Sequence, residues 1–163
     1  MEYPRRKQLR SYNIDYSKMG VYFITVSTVP RCNHFWMNAD EKYETPEAVE
    51  LNEIGKTVKE TLLQIPMHYP YIKVDAFVIM PDHIHLLLRI CVSELNDNME
   101  RKSISTVINQ WKGIVTKTIG KSIWQKLFFD HVIRNDEDYE NTLRYMYHNP
   151  LKWYYEHHSA AEQ

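Results

Sequence analysis

Cysteine is scarce in this chain of 163 residues: Cys32 and Cys91 are the only two, and neither belongs to a CxxC or a paired Cys/His spacing. That excludes a disulfide framework and a zinc knuckle. Glycine is also rare, with four residues, and no repeat, low-complexity tract or Pro/Gly-rich linker interrupts the chain. A single catalytic-sized domain over 1–163 is expected, with a basic arm at 1–10 and a frayed tail at 154–163. No apolar run approaches the roughly 18 residues a bilayer demands, and the start, MEYPRRKQLR, has no apolar stretch of a secretory signal. A cytoplasmic protein with no membrane partner is therefore expected. An excess of one sign of charge is missing too: the net charge is −1, which argues against a generally basic coat for nucleic acid.

The charge is unevenly spread, however. Lys and Arg less Asp and Glu come to +4 over residues 1–35, −7 over 36–100 and +2 over 101–163. The N-terminal excess gathers in Arg5, Arg6, Lys7 and Arg10, which form either a phosphate-binding arm or a solvated terminus. If the arm binds DNA, removing residues 1–10 weakens binding and flattens its salt dependence.

What is abundant is periodic apolar patterning. Val21 to Thr28 is β-branched and aromatic and reads as a strand. From Thr45 to Ile65, Val49, Leu51, Ile54, Val58 and Leu62 recur at helical spacing, with Thr45-Pro46 as cap and first turn. YIKVDAFVIM and HIHLLLRI, joined through Pro81-Asp82, predict a hairpin. Ser103 to about Ile119 predicts a helix ended by Gly120, Leu127–Ile133 a fourth strand, and Asp136–His148 a third helix. This β-α-β-β-α-β order predicts an α+β, ferredoxin-like antiparallel sheet with helices on one face and an added C-terminal helix.

Alternation along the second hairpin strand sorts its side chains. Ile84, Leu86, Leu88 and Ile90 make an apolar face, so His83, His85 and Arg89 point to the opposite, exposed side. On the partner strand the same rule puts Ile72, Val74, Ala76 and Val78 inward, with Lys73, Asp75 and Phe77 opposite. Two imidazoles two residues apart can converge on one metal ion or be merely polar residues on a solvated face. In the third helix Tyr139, Leu143, Met146 and Tyr147 form the expected core stripe, with Tyr145 on the other side. Asn149 falls one turn beyond Tyr145, at the helix end that Pro150 predicts.

The stretches YFITVST, VIMPDHIHLLL, the Trp-Gln pair in IWQKLFFDHVIRNDEDY, and LRYMYHNPLKW resemble, in order and spacing, the REP-associated tyrosine transposases of the single-tyrosine HUH superfamily. The resemblance runs from about Lys7 to Trp153. It implies that His83 and His85 are the HUH pair, that Tyr145 is the nucleophile, and that Asn149 completes a divalent metal site for Mg²⁺ or Mn²⁺. Many insertion-sequence transposases of the superfamily have Gln at that last position; here it is Asn. The resemblance further implies a covalent 5′-phosphotyrosine, single-stranded or hairpin DNA as partner, and either a monomer or a homodimer sharing sites. His131 and Arg134 stand in the matching DHVIR segment without an assigned role. Two other readings stay open at this level: a sheet-based nucleic-acid-binding module using Phe23 and Phe77 as stacking aromatics, and a metal-dependent phosphoesterase that activates water.

Overall fold

A computed structural model describes residues 20–91, 98 and 100–159. Strands β1 (Gly20–Ser27), β2 (Ile72–Ile79), β3 (His83–Ile90) and β4 (Phe129–Val132) form one sheet in the order β2-β3-β1-β4. All three pairings are antiparallel, as the ferredoxin-like reading requires. Helices α1 (Glu53–Leu63) and α3 (Ile104–Ile119) pack on one face, with a single turn α2 (Ile65–His68) between α1 and β2. Val58, Leu62, Ile104, Val107, Ile108 and Val115 are wholly buried there, beneath Ile24, Val26, Ile84, Leu86 and Leu88 from the sheet. Helix α4 (Asp136–His158) is the C-terminal addition.

α3 follows its sequence signals closely: the Ser103 side chain accepts from the Thr106 N–H, and Gly120 closes the helix at φ 79°. The expected helix from Thr45 to Ile65 is instead divided. Thr45 caps a short 3₁₀ turn at Pro46–Ala48, Leu51 bridges to Trp36 in extended form, and the Asn52 side chain accepts from the Gly55 N–H to start α1 afresh. Asn52 also donates to the carbonyl of His34, so the loop carrying Phe35 and Trp36 lies against the start of α1. The approach is close enough that a Cβ at Gly55 would sit 2.3 Å from the Phe35 carbonyl oxygen. Gly55→Ala is expected to cost about 2–3 kcal/mol by forcing two backbones apart; an unchanged urea midpoint would refute that contact.

Two further expectations are corrected. The strand expected over Leu127–Ile133 is shortened to Phe129–Val132, which pairs with β1 only over Tyr22–Thr25, while the Lys112 ammonium donates to the carbonyls of Gln125 and Lys126 in the segment before it. The third helix, expected to end at His148, runs on through Pro150 to His158, so the frayed tail expected from residue 154 is helical as far as the described residues reach. A proline inside a helix costs about 3 kcal/mol or more. Pro150 is buried, and packing of Trp153 against Trp36 together with a Lys152–Glu156 ion pair helps hold the following turns.

Candidate active site

The sheet face opposite α1 and α3 is not exposed as expected: α4 lies across it. β1 and β3 are the central strands, and their register places Ser27 opposite His83, Thr25 opposite His85 and Phe23 opposite Leu87. His85 is consequently buried, 3% exposed, with the Phe23 ring stacked on it at 5.2 Å and the Tyr145 ring edge-on at 5.3 Å. Tyr145 also meets Phe23 edge-on. The nucleophile candidate and the histidine pair therefore meet within one chain.

The core stripe of α4 is shifted from its expected place. Thr142, Met146, Asn149 and Pro150 are its buried residues, whereas Tyr147 is 47% exposed. At about 100° per residue this centres the stripe between Met146 and Asn149 and leaves Tyr145 at its edge, facing the sheet, rather than opposite the core. The expectation failed because Asn149 and Pro150 were placed at a helix end instead of inside it. Asn149 is 6% exposed, one turn beyond Tyr145.

A β-bulge revises the partner strand in the same way. Pairing runs Val74 with Leu88 and then Ala76 with Leu87, leaving Asp75 as the extra residue. Every side chain beyond it changes face: Ala76 and Val78 join the His85 side, while Phe77 and Ile79 turn to the α1 side. Phe77 thus cannot pair with Phe23 as a stacking surface, and Phe23 itself is covered, at 9% exposed. The aromatic platform that a sheet-based binding module needs is not formed by these two residues.

The hydrogen bonds around the imidazoles fix their orientation. His83 Nδ1 lies 2.7 Å from Asp82 Oδ1, and His85 Nδ1 lies 2.8 Å from Thr25 Oγ1. With each Nδ1 donating, both Nε2 lone pairs point inward, where they are 3.2 Å apart. Two facing lone pairs repel unless a proton or cation lies between them. Their separation is one that two ligands of a single cation take when each bond is about 2.0–2.1 Å. The donor set thus fits a metal, with carboxylate and hydroxyl partners behind the rings as metal-bound histidines usually have. Among the described residues no group of three or more His, Cys, Asp and Glu gathers for one, and the Asn149 amide, buried one turn beyond Tyr145, is the further ligand proposed from sequence.

Electrostatics support the same assignment. Burial, then the neighbouring charges of His83 and Lys152, holds His85 well below the usual histidine range, keeping it neutral and able to ligate. Burial pushes the Asp82 carboxyl up, but the hydrogen bond and charge of His83 and then Arg31 outweigh it and bring it below its ordinary value. Arg31 Nε stands 3.1 Å from Asp82 Oδ2. The Lys152 ammonium lies 5.9 Å from the centre of the Tyr145 ring.

His131 and Arg134, unassigned from sequence, meet at Asp138. His131 Nε2 and the Arg134 N–H both reach Asp138 Oδ2, at 2.8 and 2.9 Å, tying β4 to the first turn of α4. Burial opposes ionisation of Asp138, yet the bonds from Arg134 and His131 bring its carboxyl below the ordinary carboxylate range. A depressed carboxyl stabilises the fold at pH values above its unfolded pKa and loses that contribution as pH falls through the folded one. Asp138→Ala is therefore expected to cost about 1 kcal/mol near neutrality. The gap in denaturation midpoints from wild type should narrow below about pH 4, and a gap independent of pH would contradict the linkage. A second tie joins Arg89, Asp75 and Tyr139, whose hydroxyl donates to Asp75 Oδ2 at 3.0 Å.

Of the residues proposed from sequence, His83, His85 and Tyr145 come together here and Asn149 is buried one turn beyond Tyr145, whereas Arg5, Arg6, Lys7 and Arg10 lie outside the described residues. Thr25, Asp82, Arg31 and Lys152 went unnoticed, and Phe23, named from sequence only as a stacking aromatic for a base, packs instead on His85. Asp82 adjoins the histidines in sequence and could have been found; Thr25 and Phe23 depend on a register that no local signal reveals.

The chain belongs to the IS200-like transposase family, whose model matches residues 41–149. It is 26% identical over 148 residues to a REP-associated tyrosine transposase of Escherichia coli (strain K12), covering 88% of this chain and 74% of that protein. An uncharacterized protein of Haemophilus influenzae is 26% identical over 167 residues, covering 91% of this chain and 89% of the relative. Among solved structures, a REP-associated tyrosine transposase bound to a REP hairpin matches with a TM-score of 0.62 and 25% identity, over 88% of this chain and 73% of that one. These likenesses support a transposase function, and with it an enzyme. No helix of the described residues is long and apolar enough to cross a membrane.

Proposed function

We propose that this chain nicks and rejoins single-stranded or hairpin DNA through Tyr145. The observation that carries the reading is the contact between the Tyr145 and His85 rings beside the inward-facing nitrogens of His83 and His85. The hairpin-bound structural relative supports DNA hairpins as the substrate class.

In this reading the Tyr145 hydroxyl oxygen attacks a backbone phosphorus. The new O–P bond replaces the bond to the 3′-oxygen, which leaves and takes up a proton, while the phenol proton passes to solvent. The products are a 5′-phosphotyrosine and a free 3′-hydroxyl. Because one phosphodiester is exchanged for another, the reverse step on a new 3′-end joins strands without an outside energy source. A phenol with a pKa near 10 needs help to react as its anion, and the Lys152 ammonium is a source of positive charge beside the ring. His83, His85 and Asn149 would hold Mg²⁺ or Mn²⁺, which when bound supplies positive charge against the phosphate oxygens. Phe23 and Thr25 keep His85 in place.

The test is a denaturing gel of labelled hairpin DNA with wild type and Tyr145→Phe, in Mn²⁺, Mg²⁺ or EDTA. A metal-dependent protein–DNA adduct formed by wild type alone is expected. Binding of a broad hairpin set without cleavage or adduct would overturn the reading.

A further inference from the structure

The last two turns of α4 carry aromatic side chains that the chemistry above leaves unused. Trp153 and His157, one turn apart, stack at 3.9 Å with planes 19° apart. The His157 Nδ1–H donates to the Trp153 carbonyl at 2.8 Å, which fixes the imidazole flat over the indole. Trp153 is half-buried, with Trp36 behind it and the His83 ring 6.3 Å away, whereas His157 is exposed. The stack therefore begins beside the metal-binding histidines and ends in solvent.

We infer that Trp153 and His157 form a stacking platform for a nucleobase of the single strand, next to the phosphate that Tyr145 attacks. The inference rests on the single-strand reading of the site. A flat, ordered aromatic surface with one face open is what an unpaired base stacks on, whichever base it is. Its position near the C-terminal end of a helix, where carbonyls point outward, favours a neutral ring over a phosphate. The phosphate has its own partner on the adjoining edge, where Lys152 stands beside Tyr145. One nucleotide thus finds a cation for its backbone and an aromatic for its base within one turn of helix. The neighbouring pair supplies a control: Tyr154 and His158 stack in the same way, at 4.3 Å, but His158 Nε2 lies 3.6 Å from the Asp40 carboxylate, whose charge repels a DNA backbone.

The experiment measures binding of full-length protein, in EDTA, to fluorescein-labelled hairpins from the chain's own genomic neighbourhood, with an abasic residue stepped through the single-stranded flank. Wild type should lose about 5- to 10-fold in affinity when one particular base is removed. His157→Ala should bind the intact hairpin weaker by a similar factor and be indifferent to that abasic position. Trp153→Phe, which keeps an aromatic against Trp36, should show a smaller loss at the same position, and His158→Ala none. Identical abasic profiles for wild type, His157→Ala and Trp153→Phe overturn the platform, as does wild type that binds flanked hairpins no better than blunt ones. A metal-dependent adduct with such flat profiles refutes the platform alone; a position-specific loss without any adduct refutes the nicking chemistry alone.

Discussion

Tyr145→Phe is expected to abolish the protein–DNA adduct and to lower strand cleavage by more than about a thousandfold, the scale on which removing a covalent nucleophile acts. It should leave the fold and DNA binding nearly intact. The substitution removes one hydroxyl and keeps the ring that packs edge-on against Phe23 and His85 and that lies under the Lys152 ammonium. Thermal melting and hairpin affinity should therefore match wild type while the denaturing gel shows no shifted band. Mass spectrometry of the wild-type adduct should place the DNA on the peptide that contains Tyr145. Tyr147, two residues on, is the control: its side chain points to solvent, and Tyr147→Phe should form adduct normally. Cleavage at near wild-type rates by Tyr145→Phe would instead mean that water is the nucleophile, and the chain would then act as a metal-dependent phosphoesterase.

The parts of this site legible in the sequence were those set by local periodicity. Alternation alone put His83 and His85 on the face opposite Ile84, Leu86 and Leu88, and the β3 pairing agrees with it residue by residue. Helical spacing alone put Asn149 one turn from Tyr145, which survives although the helix proved ten residues longer at its C-terminal end. What misled were places where tertiary packing overrides a local rule. Pro150 signals a helix end on its own; buried, and followed by turns that Trp153 holds against Trp36, it becomes an interior residue. Asp75 looks like an ordinary outward residue of an alternating strand. As a bulge it instead reaches Arg89 and Tyr139 with its carboxylate and reverses the faces of Ala76 through Ile79. Both departures are tied to how α4 seats on the sheet.

That seating explains why the site is built of buried groups. A histidine pair on an open sheet would be solvated and free to titrate. Beneath α4, His85 is kept neutral by desolvation, and its ring is held between Phe23 and Tyr145. The ties at Asp138 and Asp75 fasten the first turn of α4 to β4, β2 and β3, while Trp153 fastens its later turns against Trp36. Tyr145 lies between these anchors, so its position over His85 is set from both ends of the helix.

The second large effect is expected at the other side of the histidine pair. His83→Ala removes one of two inward nitrogens and should reduce metal-dependent cleavage by more than about a thousandfold at any accessible Mn²⁺ concentration, because a single imidazole cannot hold the ion in place. Asp82→Ala touches no reacting atom. It withdraws the carboxylate that accepts from His83 Nδ1 and so lets the ring turn and change tautomer, with an expected loss of about 10- to 100-fold in metal affinity or activity. The turn itself should survive, since it is held by main chain: the Thr28 N–H and hydroxyl both donate to the Asp82 carbonyl at 2.9 Å. Asp82→Asn, which keeps an acceptor for His83 but loses the charge facing Arg31, should fall between wild type and Asp82→Ala. Single-turnover rates measured against Mn²⁺ concentration separate the cases. Raising the metal should restore Asp82→Ala toward wild type and leave His83→Ala inactive, because the first variant has only misaligned a ligand and the second has lost one. If Asp82→Ala showed the wild-type concentration curve, the carboxylate would have no part in orienting His83.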